Sequence, residues 1–236
     1  MQQQPSSETL WAIVPAAGRG ARMGAALPKQ YLPLLGQTVI EITLARLLAL
    51  DNVAQVIVSL HPEDHHWQTL KCARHPKIAA VTGGAERSHS VLAALQHLQR
   101  QAAESDWVLV HDAARACITT ATIESMLTQL KDETVGAILA IASDDTLKQV
   151  ARQRVQSTLN RQIIWRAQTP QVFRYGLLYR CLYRAVADNS SVTDDASALE
   201  IAGYQPKILP GRKDNIKITH PEDLDLAEFI VRRQAR

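Results

Sequence analysis

The sequence predicts an α/β fold, in which a mostly parallel sheet is flanked by helices on both faces. Short apolar runs alternate with longer segments of helical spacing along most of the chain. The apolar runs lack the alternation of apolar and polar residues that marks a strand with one solvent-exposed face, so we expect strands that are covered on both faces. With 236 residues, 46% of them hydrophobic, the chain is long enough to bury a large core.

The first part of the chain alternates between strands and helices. Trp11–Ala16 is short, apolar and bounded by polar and glycine-rich sequence, whereas Thr38–Leu50 is long and apolar around much of its circumference. This pattern indicates a strand, a loop and a helix. Further strands are predicted at Gln55–Leu60, Ile78–Val81, Trp107–Val110 and Val135–Ala142, and apolar spacing predicts helices around Val91–Leu98 and Ile123–Leu130.

Residues 143–168 depart from this pattern, because polar and charged side chains dominate them. We expect a projecting β-hairpin here, within a single domain that spans residues 1–236. A two-stranded excursion is only marginally stable alone, so it would pack on the body or on a second subunit. The segment therefore predicts an arm through which the protein forms a homodimer.

The last part of the chain returns to regular alternation. Tyr175–Ala187 and Thr193–Ala202 have helical spacing, and Pro206–Leu209 has the character of a strand. Pro221–Arg233 is predicted as the final helix, because proline suits the first turn of a helix and arginines suit the last.

Charge and cysteine content limit the classes of function. The 26 Lys and Arg against 23 Asp and Glu give a net charge of +3, too small for a typical nucleic-acid-binding surface. Three cysteines without a C-x-x-C pair argue against a disulfide framework and favour a reducing compartment. The start of the chain lacks a signal-peptide pattern, and the longest apolar run, Val135–Ala142, is too short for a membrane span. We expect a cytoplasmic protein that binds neither nucleic acid nor membranes.

The most informative segment follows the first strand and reads VPAAGRGARMG, with PKQY shortly after it. It is not the dinucleotide pattern G-x-G-x-x-G, because Met23 stands three residues after Gly20, and it is not a G-x-x-x-x-G-K-[ST] loop. Glycines with their own cations are expected where a triphosphate is held and charge developing at one phosphorus is neutralised. The alternative is a flexible turn with solvated arginines. The residues concerned are Gly18, Gly20, Gly24, Arg19, Arg22 and Lys29.

Three other segments are candidates for the same site. Asp112 follows a strand and would lie at the carboxyl edge of the sheet, where it could hold Mg²⁺ or simply cap a helix. The sequence GGAERSHSV offers a tight turn, Arg87 and Ser90 near a helix start, and a plain turn explains it equally well. The third candidate comprises Thr193 and Asp194, followed by Asp214 and Lys217, which could also be merely solvated.

Other chemistries find little support. His61, His65 and His66 lack a fixed metal-ligand spacing and are expected to be solvated side chains where a loop enters a helix. There is no G-x-S-x-G motif, and neither Cys117 nor Cys181 lies in a nucleophile motif, so covalent catalysis is not predicted.

Taken together, the motifs resemble those of the 2-C-methyl-D-erythritol 4-phosphate cytidylyltransferase family. They are VPAAGRGARMG with PKQY, GGAERSHSV, LVHDAAR, the TPQ at residues 169–171, TDDASALE and GRKDNIKIT, in order from residue 11 to about residue 230. The resemblance implies a Rossmann-like fold of nucleotidyltransferase type and transfer of CMP from CTP to methylerythritol phosphate in the non-mevalonate isoprenoid pathway. It also implies a Mg²⁺-dependent homodimer joined through the arm.

The resemblance also implies roles for individual residues. Arg22 and Lys29 match the family's transition-state stabilisers, and Asp112 its metal-associated acid, with Asp214 near it. Arg161 would position the acceptor from the neighbouring subunit, with Lys217 as its partner from the same chain. Thr146, Thr169 and Thr193 would face the substrates. The expected nucleotide-binding residues are Pro15, Ala16, Ala17, Gly18, Gly20, Gly84, Arg87, Ser90, Arg115 and Thr146.

Two departures qualify the resemblance, and it has three rivals, of which a dehydrogenase is disfavoured by Met23 where the dinucleotide pattern requires glycine. Family members commonly carry proline after the arginine of DAAR and an acidic residue after the paired glycines, where this chain has Ala116 and Ala85. A ribitol 5-phosphate cytidylyltransferase would share the fold and the CTP chemistry and differ in its acceptor. A non-catalytic nucleotide-binding protein is the rival from another class, because fold alone never establishes function.

Overall fold

The computed structural model describes residues 8–18 and 27–235. The strands are β1 (Leu10–Ala16), β2 (Pro33–Leu34), β3 (Gln37–Thr38), β4 (Val53–Leu60), β5 (Ile78–Thr82), β6 (Trp107–Val110), β7 (Gly136–Ala142), β8 (Lys148–Ala151), β9 (Arg154–Thr158), β10 (Trp165–Arg174) and β11 (Lys207–Pro210). The α-helices are α1 (Val39–Leu48), α2 (Arg87–His97), α3 (Thr120–Thr128), α4 (Tyr175–Ala187), α5 (Asp195–Ile201) and α6 (Glu222–Gln234).

The central sheet has seven strands in the order β11-β7-β10-β6-β1-β4-β5. β1 pairs in parallel with β4 and β6, β4 with β5, and β7 with β11, while β10 runs antiparallel between β6 and β7. The predicted α/β class with a mostly parallel sheet is therefore confirmed. The arm is shorter than predicted, because residues 165–168, which had been assigned to it, are the first residues of β10.

Helices cover both faces of the sheet. Along β1, Ala12 and Val14 pack into a cluster with Ile40 and Leu44 of α1, whereas Ile13 between them packs with Leu95 of α2. Successive side chains of a strand point to opposite faces, so an apolar run such as β1 serves two cores at once. This explains why the parallel strands carry apolar side chains on both faces.

The segment after β4 differs from the prediction. The histidines were expected where a loop enters a helix, but two 3₁₀ turns follow instead, Trp67–Thr69 and Lys71–Arg74. Asp64 accepts hydrogen bonds from the backbone N–H groups of His66 and Trp67, both at 2.9 Å, and so fixes the first of these turns. Within the described residues, no group of three or more His, Cys, Asp or Glu side chains is arranged to hold a metal ion.

The predicted arm contains a hairpin that forms a sheet of its own. β8 and β9 pair antiparallel and are almost entirely exposed. Arg152 and Gln153 make the turn with φ values of 50° and 60°, the left-handed backbone that suits a two-residue hairpin. Across the part of the chain that is described, no helix has both the length and the apolar character needed to cross a bilayer.

Candidate active site

A cleft of about 360 Å³ opens at the carboxyl ends of β1, β5 and β6. In open α/β sheets this is the edge where ligands bind, because loops and helix N-termini meet there. The segment after β1, the turn before α2, the residues after β6 and the loop after β11 all contribute to its wall. The lining residues are Pro15, Ala16, Ala17, Gly18, Lys29, Gln30, Gly84, Ala85, Glu86, Arg87, Ser90, Asp112, Ala113, Ala114, Lys217 and Thr219.

Most of the predicted site residues meet in this cleft, although they come from distant parts of the sequence. Those that line it are Pro15, Ala16, Ala17, Gly18, Lys29, Gly84, Arg87, Ser90, Asp112 and Lys217. Gly20 and Arg22, which were predicted from the glycine-rich loop, lie outside the described residues.

The paired glycines form a turn packed directly against the end of β1. The Gly83 N–H donates to the Leu60 carbonyl at 2.7 Å, and a Cβ at Gly83 would lie 2.8 Å from the Ala17 Cβ and from the Ser90 hydroxyl. Ser90 accepts a hydrogen bond from the Gly84 N–H at 3.2 Å. Glycine is therefore required at position 83 for close packing, and Ser90 shapes the turn that Gly84 presents to the cleft.

Gln30 is a lining residue that sequence reasoning missed. Its side-chain amide donates to the carbonyl of Ala16 at 2.7 Å and to that of Gly18 at 3.3 Å, and only 4% of the residue is exposed. The side chain therefore fixes the backbone where the glycine-rich loop begins. Its position in PKQY was the available signal, but a lone glutamine has no pattern that predicts a buried contact.

Asp112 gathers three cations at the floor of the cleft. Its carboxylate oxygens lie 3.0 Å from Arg87 Nε, 2.8 Å from Lys217 Nζ and 3.7 Å from Arg115 Nε. Burial alone would raise the pKa of Asp112, but the Arg87 and Lys217 charges outweigh it and hold that pKa well below its usual range. Asp112 is therefore an ionised carboxylate near neutral pH.

A buried polar network holds Asp112 from behind. The Thr169 hydroxyl accepts a hydrogen bond from the Asp112 N–H at 3.0 Å and lies 3.0 Å from His111 Nδ1. His111 Nε2 lies 3.2 Å from the Arg115 carbonyl, so we assign the proton to Nε2, which leaves Nδ1 to accept from Thr169. Burial lowers the pKa of His111 to about 4, which keeps the ring neutral. Thr169 had been expected to face the substrates, but its hydroxyl is used within this network.

Lys29 lines the cleft and contacts the loop that follows β11. Its ammonium donates to the Ile218 carbonyl at 3.1 Å, and the Ile218 N–H donates to the Ala114 carbonyl at 2.9 Å. Residues 217–219 are thus held between Lys29 and the segment after β6. Lys29 and Lys217 therefore border the same space from two different elements.

Besides Thr169, several predicted residues do not line the cleft. Arg115 is buried behind it and donates to the Asn215 carbonyl at 2.7 Å. Arg161 is exposed on the arm and donates to the Asp144 carbonyl at 2.8 Å, and Thr146 is exposed nearby. The Thr193 N–H donates to Ser197 at the start of α5. Asp214 accepts two hydrogen bonds from Arg212, and these bonds together with the Arg212 charge lower the pKa of Asp214.

The donor set suits a metal ion only if that ion arrives with its own ligands. Asp112 and Glu86 are the carboxylates among the described lining residues, and both Asp112 oxygens face cations. Magnesium in nucleotide sites is usually held by one or two protein carboxylates together with phosphate oxygens and water. The residues fit that arrangement and do not form a cage made by the protein alone.

The fold and the cleft suit a nucleotide-binding enzyme of the nucleotidyltransferase class. A mostly parallel sheet carries a glycine turn and the cationic side chains of Lys29, Arg87 and Lys217 at its carboxyl edge, which suits a polyphosphate. The model of the IspD family, 2-C-methyl-D-erythritol 4-phosphate cytidylyltransferase, matches residues 10–233, and the chain belongs to that family.

Individual relatives agree with this assignment. A 2-C-methyl-D-erythritol 4-phosphate cytidylyltransferase from Shewanella oneidensis is 48% identical, over 100% of this chain and 94% of the relative. One from Aliivibrio fischeri is 44% identical, over 97% and 96%. Among solved structures, the Francisella tularensis enzyme of that name has a TM-score of 0.84 at 36% identity, covering 94% of this chain and 100% of the other.

Proposed function

We propose that the protein transfers CMP from CTP to 2-C-methyl-D-erythritol 4-phosphate, giving 4-diphosphocytidyl-2-C-methyl-D-erythritol and pyrophosphate. The observation that carries the proposal is the meeting of Lys29, Lys217 and the Gly84 turn in one cleft of a chain from this family. A turn that presents backbone groups suits a base and ribose, and ammonium groups suit phosphates.

The chemistry needs charge neutralisation more than acid–base catalysis. An oxygen of the acceptor phosphate attacks the α-phosphorus of CTP in line with the departing pyrophosphate. The new P–O bond forms as the bond to the bridging oxygen breaks, and that oxygen leaves with the electron pair. The acceptor phosphate is already anionic near neutral pH, so no strong base is required, and we assign neutralisation of the developing charge to Lys29 and Arg22.

We assign the nucleotide to the wall formed by Pro15–Gly18 and by the turn at Gly84. Backbone groups there can approach the base and the phosphates closely. The acceptor is assigned to the side of Lys217, whose ammonium is partly exposed. Thr193, Arg161 and Thr146 do not line the cleft of their own chain. The assignment of Thr193 and Arg161 to the acceptor, and of Thr146 to the nucleotide, therefore depends on a second subunit or on movement during binding.

We propose Mg²⁺ as the cofactor. It would arrive with the triphosphate, and Asp112 would supply a protein oxygen. When bound, the ion would offset the negative charge of the phosphates.

We infer that the protein is a homodimer joined through the arm. Ile163 and Val155 on the arm are 74% and 62% exposed, and Trp165 at the start of β10 is 41% exposed; exposed large apolar side chains of this kind suit a partner surface. A second copy would also bring the exposed Arg161 within reach of a neighbouring cleft.

All three cysteines are free thiols, which suits a reducing compartment, and we infer that the protein is located in the cytoplasm.

The dimer makes a testable prediction for the arm. Ile163→Glu places a charge in the proposed interface, so we expect a shift toward a 26.1 kDa monomer in sedimentation and a fall in activity of about 10-fold or more. Phe229→Glu on α6 is the matched control, because Phe229 is 57% exposed and lies outside the arm. A wild-type monomer with full activity would contradict both the dimer and the role of Arg161.

The function itself is tested by pyrophosphate release from CTP and Mg²⁺ with two acceptors in parallel. Release with methylerythritol 4-phosphate and not with ribitol 5-phosphate is the expected result. Release with ribitol 5-phosphate alone would keep the mechanism and replace the acceptor. Release with neither, alongside measurable CTP binding, would favour a non-catalytic nucleotide-binding protein.

Nucleotide selectivity is expected despite the departure at position 85. Ala85 lines the cleft but has no polar side chain, so selection of the base must use backbone groups of the turn or other residues. We expect kcat/KM for CTP to exceed that for UTP by at least about 10-fold. Ala85→Asp, which introduces the residue type common in the family, is expected to leave this ratio unchanged. Equal turnover of the two nucleotides by the wild type would refute the prediction.

A further inference from the structure

We propose that Asp195 is a positioning residue for the reaction, because it holds Arg87 and, through Arg87, the carboxylate of Asp112. Asp195 does not line the cleft, and although it belongs to the TDDASALE motif, no role was assigned to it from the sequence. The proposal rests on the cytidylyl transfer proposed above.

Arg87 forms a bridge between two carboxylates. Its Nε lies 3.0 Å from Asp112 Oδ1, and its Nη2 lies 2.7 Å from Asp195 Oδ2. The planar guanidinium presents its donors in a fixed fork, so holding one arm determines where the other points. Asp195 thus determines the direction from which Arg87 meets Asp112.

Asp195 is itself rigidly placed. It begins α5, and the preceding residue, Asp194, caps that helix by accepting a hydrogen bond from the Ser197 N–H at 3.0 Å. Gln171 of β10 donates to Asp194 at 2.7 Å and accepts from the Ala196 N–H at 3.0 Å. The start of α5 is therefore tied to the central sheet on both sides of Asp195, which makes it a fixed anchor for Arg87.

Stability alone is a poor reason for this buried pair. Asp195 is fully buried, and its Oδ1 has no hydrogen-bond partner among the described residues. A buried ion pair with an unsatisfied oxygen stabilises a fold less well than apolar side chains of similar size. A device that orients a group at the cleft explains why a charge is placed there.

The orientation of Asp112 matters because its two oxygens face different partners. Oδ1 meets Arg87 and Oδ2 meets Lys217 at 2.8 Å, so a rotation of the carboxylate would disturb both contacts. With Asp195 neutral, Arg87 loses its second anchor and can pivot. Lys217, which borders the cleft, would then lose its fixed position, and the reacting groups would be misaligned without losing a direct substrate contact.

The first test compares Asp195→Asn and Asp195→Leu with Asp195→Glu. The two neutral variants are expected to lower kcat by about 10- to 100-fold, the range typical of residues that orient a metal ligand through a hydrogen bond. The KM for CTP is expected to change less than kcat. Asp195→Glu keeps the charge and is expected to recover most of the activity. Each rate is divided by the amount of folded protein, which circular dichroism measures. Asp195→Leu removes the unsatisfied oxygen, so it provides a second neutral variant if Asp195→Asn folds poorly.

Asp106→Asn is the matched control for loss of a buried carboxylate. Asp106 lies just before β6, at the end of the strand that is farther from the cleft. Its carboxylate accepts a hydrogen bond from the indole N–H of Trp11 at 2.9 Å, and it does not line the cleft. We expect lower stability with unchanged kcat per folded molecule. If the Asp195 variants behave in the same way, Asp195 is structural and the proposal fails.

A double-mutant cycle then asks whether Asp195 acts through Arg87. Asp195→Asn is expected to cost much less in an Arg87→Lys background, because a lysine cannot bridge the two carboxylates. Additive losses would overturn the proposal. Absence of pyrophosphate release by the wild type would instead refute the proposed function, so the two failures are distinguishable.

Discussion

Replacement of Lys29 by methionine is expected to reduce kcat by about 10²- to 10³-fold, the typical effect of removing one group that stabilises transition-state charge. The ammonium lines the cleft and is held at the Ile218 carbonyl, so it is positioned before the reaction begins. Because we assign this ammonium to the charge that develops at the α-phosphorus, binding of CTP should weaken less than turnover. Steady-state pyrophosphate release and calorimetric binding of CTP measure the two effects.

Lys77→Met is the control for this substitution. Lys77 also donates to a backbone carbonyl, that of Val53 at 2.9 Å, but it lies beside the start of β4, at the edge of the sheet opposite the cleft. Its loss should leave kcat unchanged. If Lys29→Met lowered CTP affinity and kcat/KM by the same factor, Lys29 would contribute to ground-state binding alone.

The parallel strands could be predicted because the features that mark them lie within each segment and its immediate neighbours. β1, β4 and β6 are apolar runs, and their flanking glycines and polar residues mark their ends. α4 was predicted at Tyr175–Ala187 and observed there, since its apolar residues repeat at helical spacing over thirteen residues. Such segments need no knowledge of their distant neighbours.

β10 could not be predicted in this way because its character depends on distant partners. Gln168 and Thr169 are buried in this strand, yet polar residues normally indicate a loop. Their burial is possible because the Asn215 side chain donates to the Thr169 carbonyl at 2.9 Å and Gln168 donates to the Arg212 carbonyl at 2.9 Å. A sequence pattern does not reveal a hydrogen-bond partner more than forty residues away.

The residues of the candidate site likewise fall into those that their own segment predicted and those that depend on distant segments. Asp112 was predicted because ligands bind where parallel strands end, Gly18 because glycines let the backbone approach an anion, and Gly84 because its motif resembles that of the family. Gln30 and Asp195 were missed because each acts through a side chain of another segment. The cleft contacts of the loop after β11 likewise depend on tertiary structure, which brings Lys217 to the cleft and turns Asp214 toward Arg212.

Asp112→Asn is expected to have the largest combined effect on stability and activity. The side chain has nearly the same shape, but removal of the charge leaves Arg87, Arg115 and Lys217 without their shared carboxylate. Loss of one partner of a buried ion pair typically costs ~3–5 kcal/mol, and we expect about 3 kcal/mol here because Lys217 stays partly hydrated. Denaturant unfolding of both proteins measures this difference.

Activity should fall further than stability alone requires. With Asp112 neutral, Lys217 loses the contact that holds it at the cleft, and the protein oxygen that we propose as a Mg²⁺ ligand would bind the ion less strongly. We therefore expect kcat/KM to fall by at least about 10³-fold when rates are referred to folded protein. Glu228→Gln provides the control, because it makes the same chemical change in an exposed ion pair with Arg232 on α6, where about 0.5 kcal/mol or less is expected. An Asp112→Asn enzyme that is destabilised but fully active would show that Asp112 only balances buried charge.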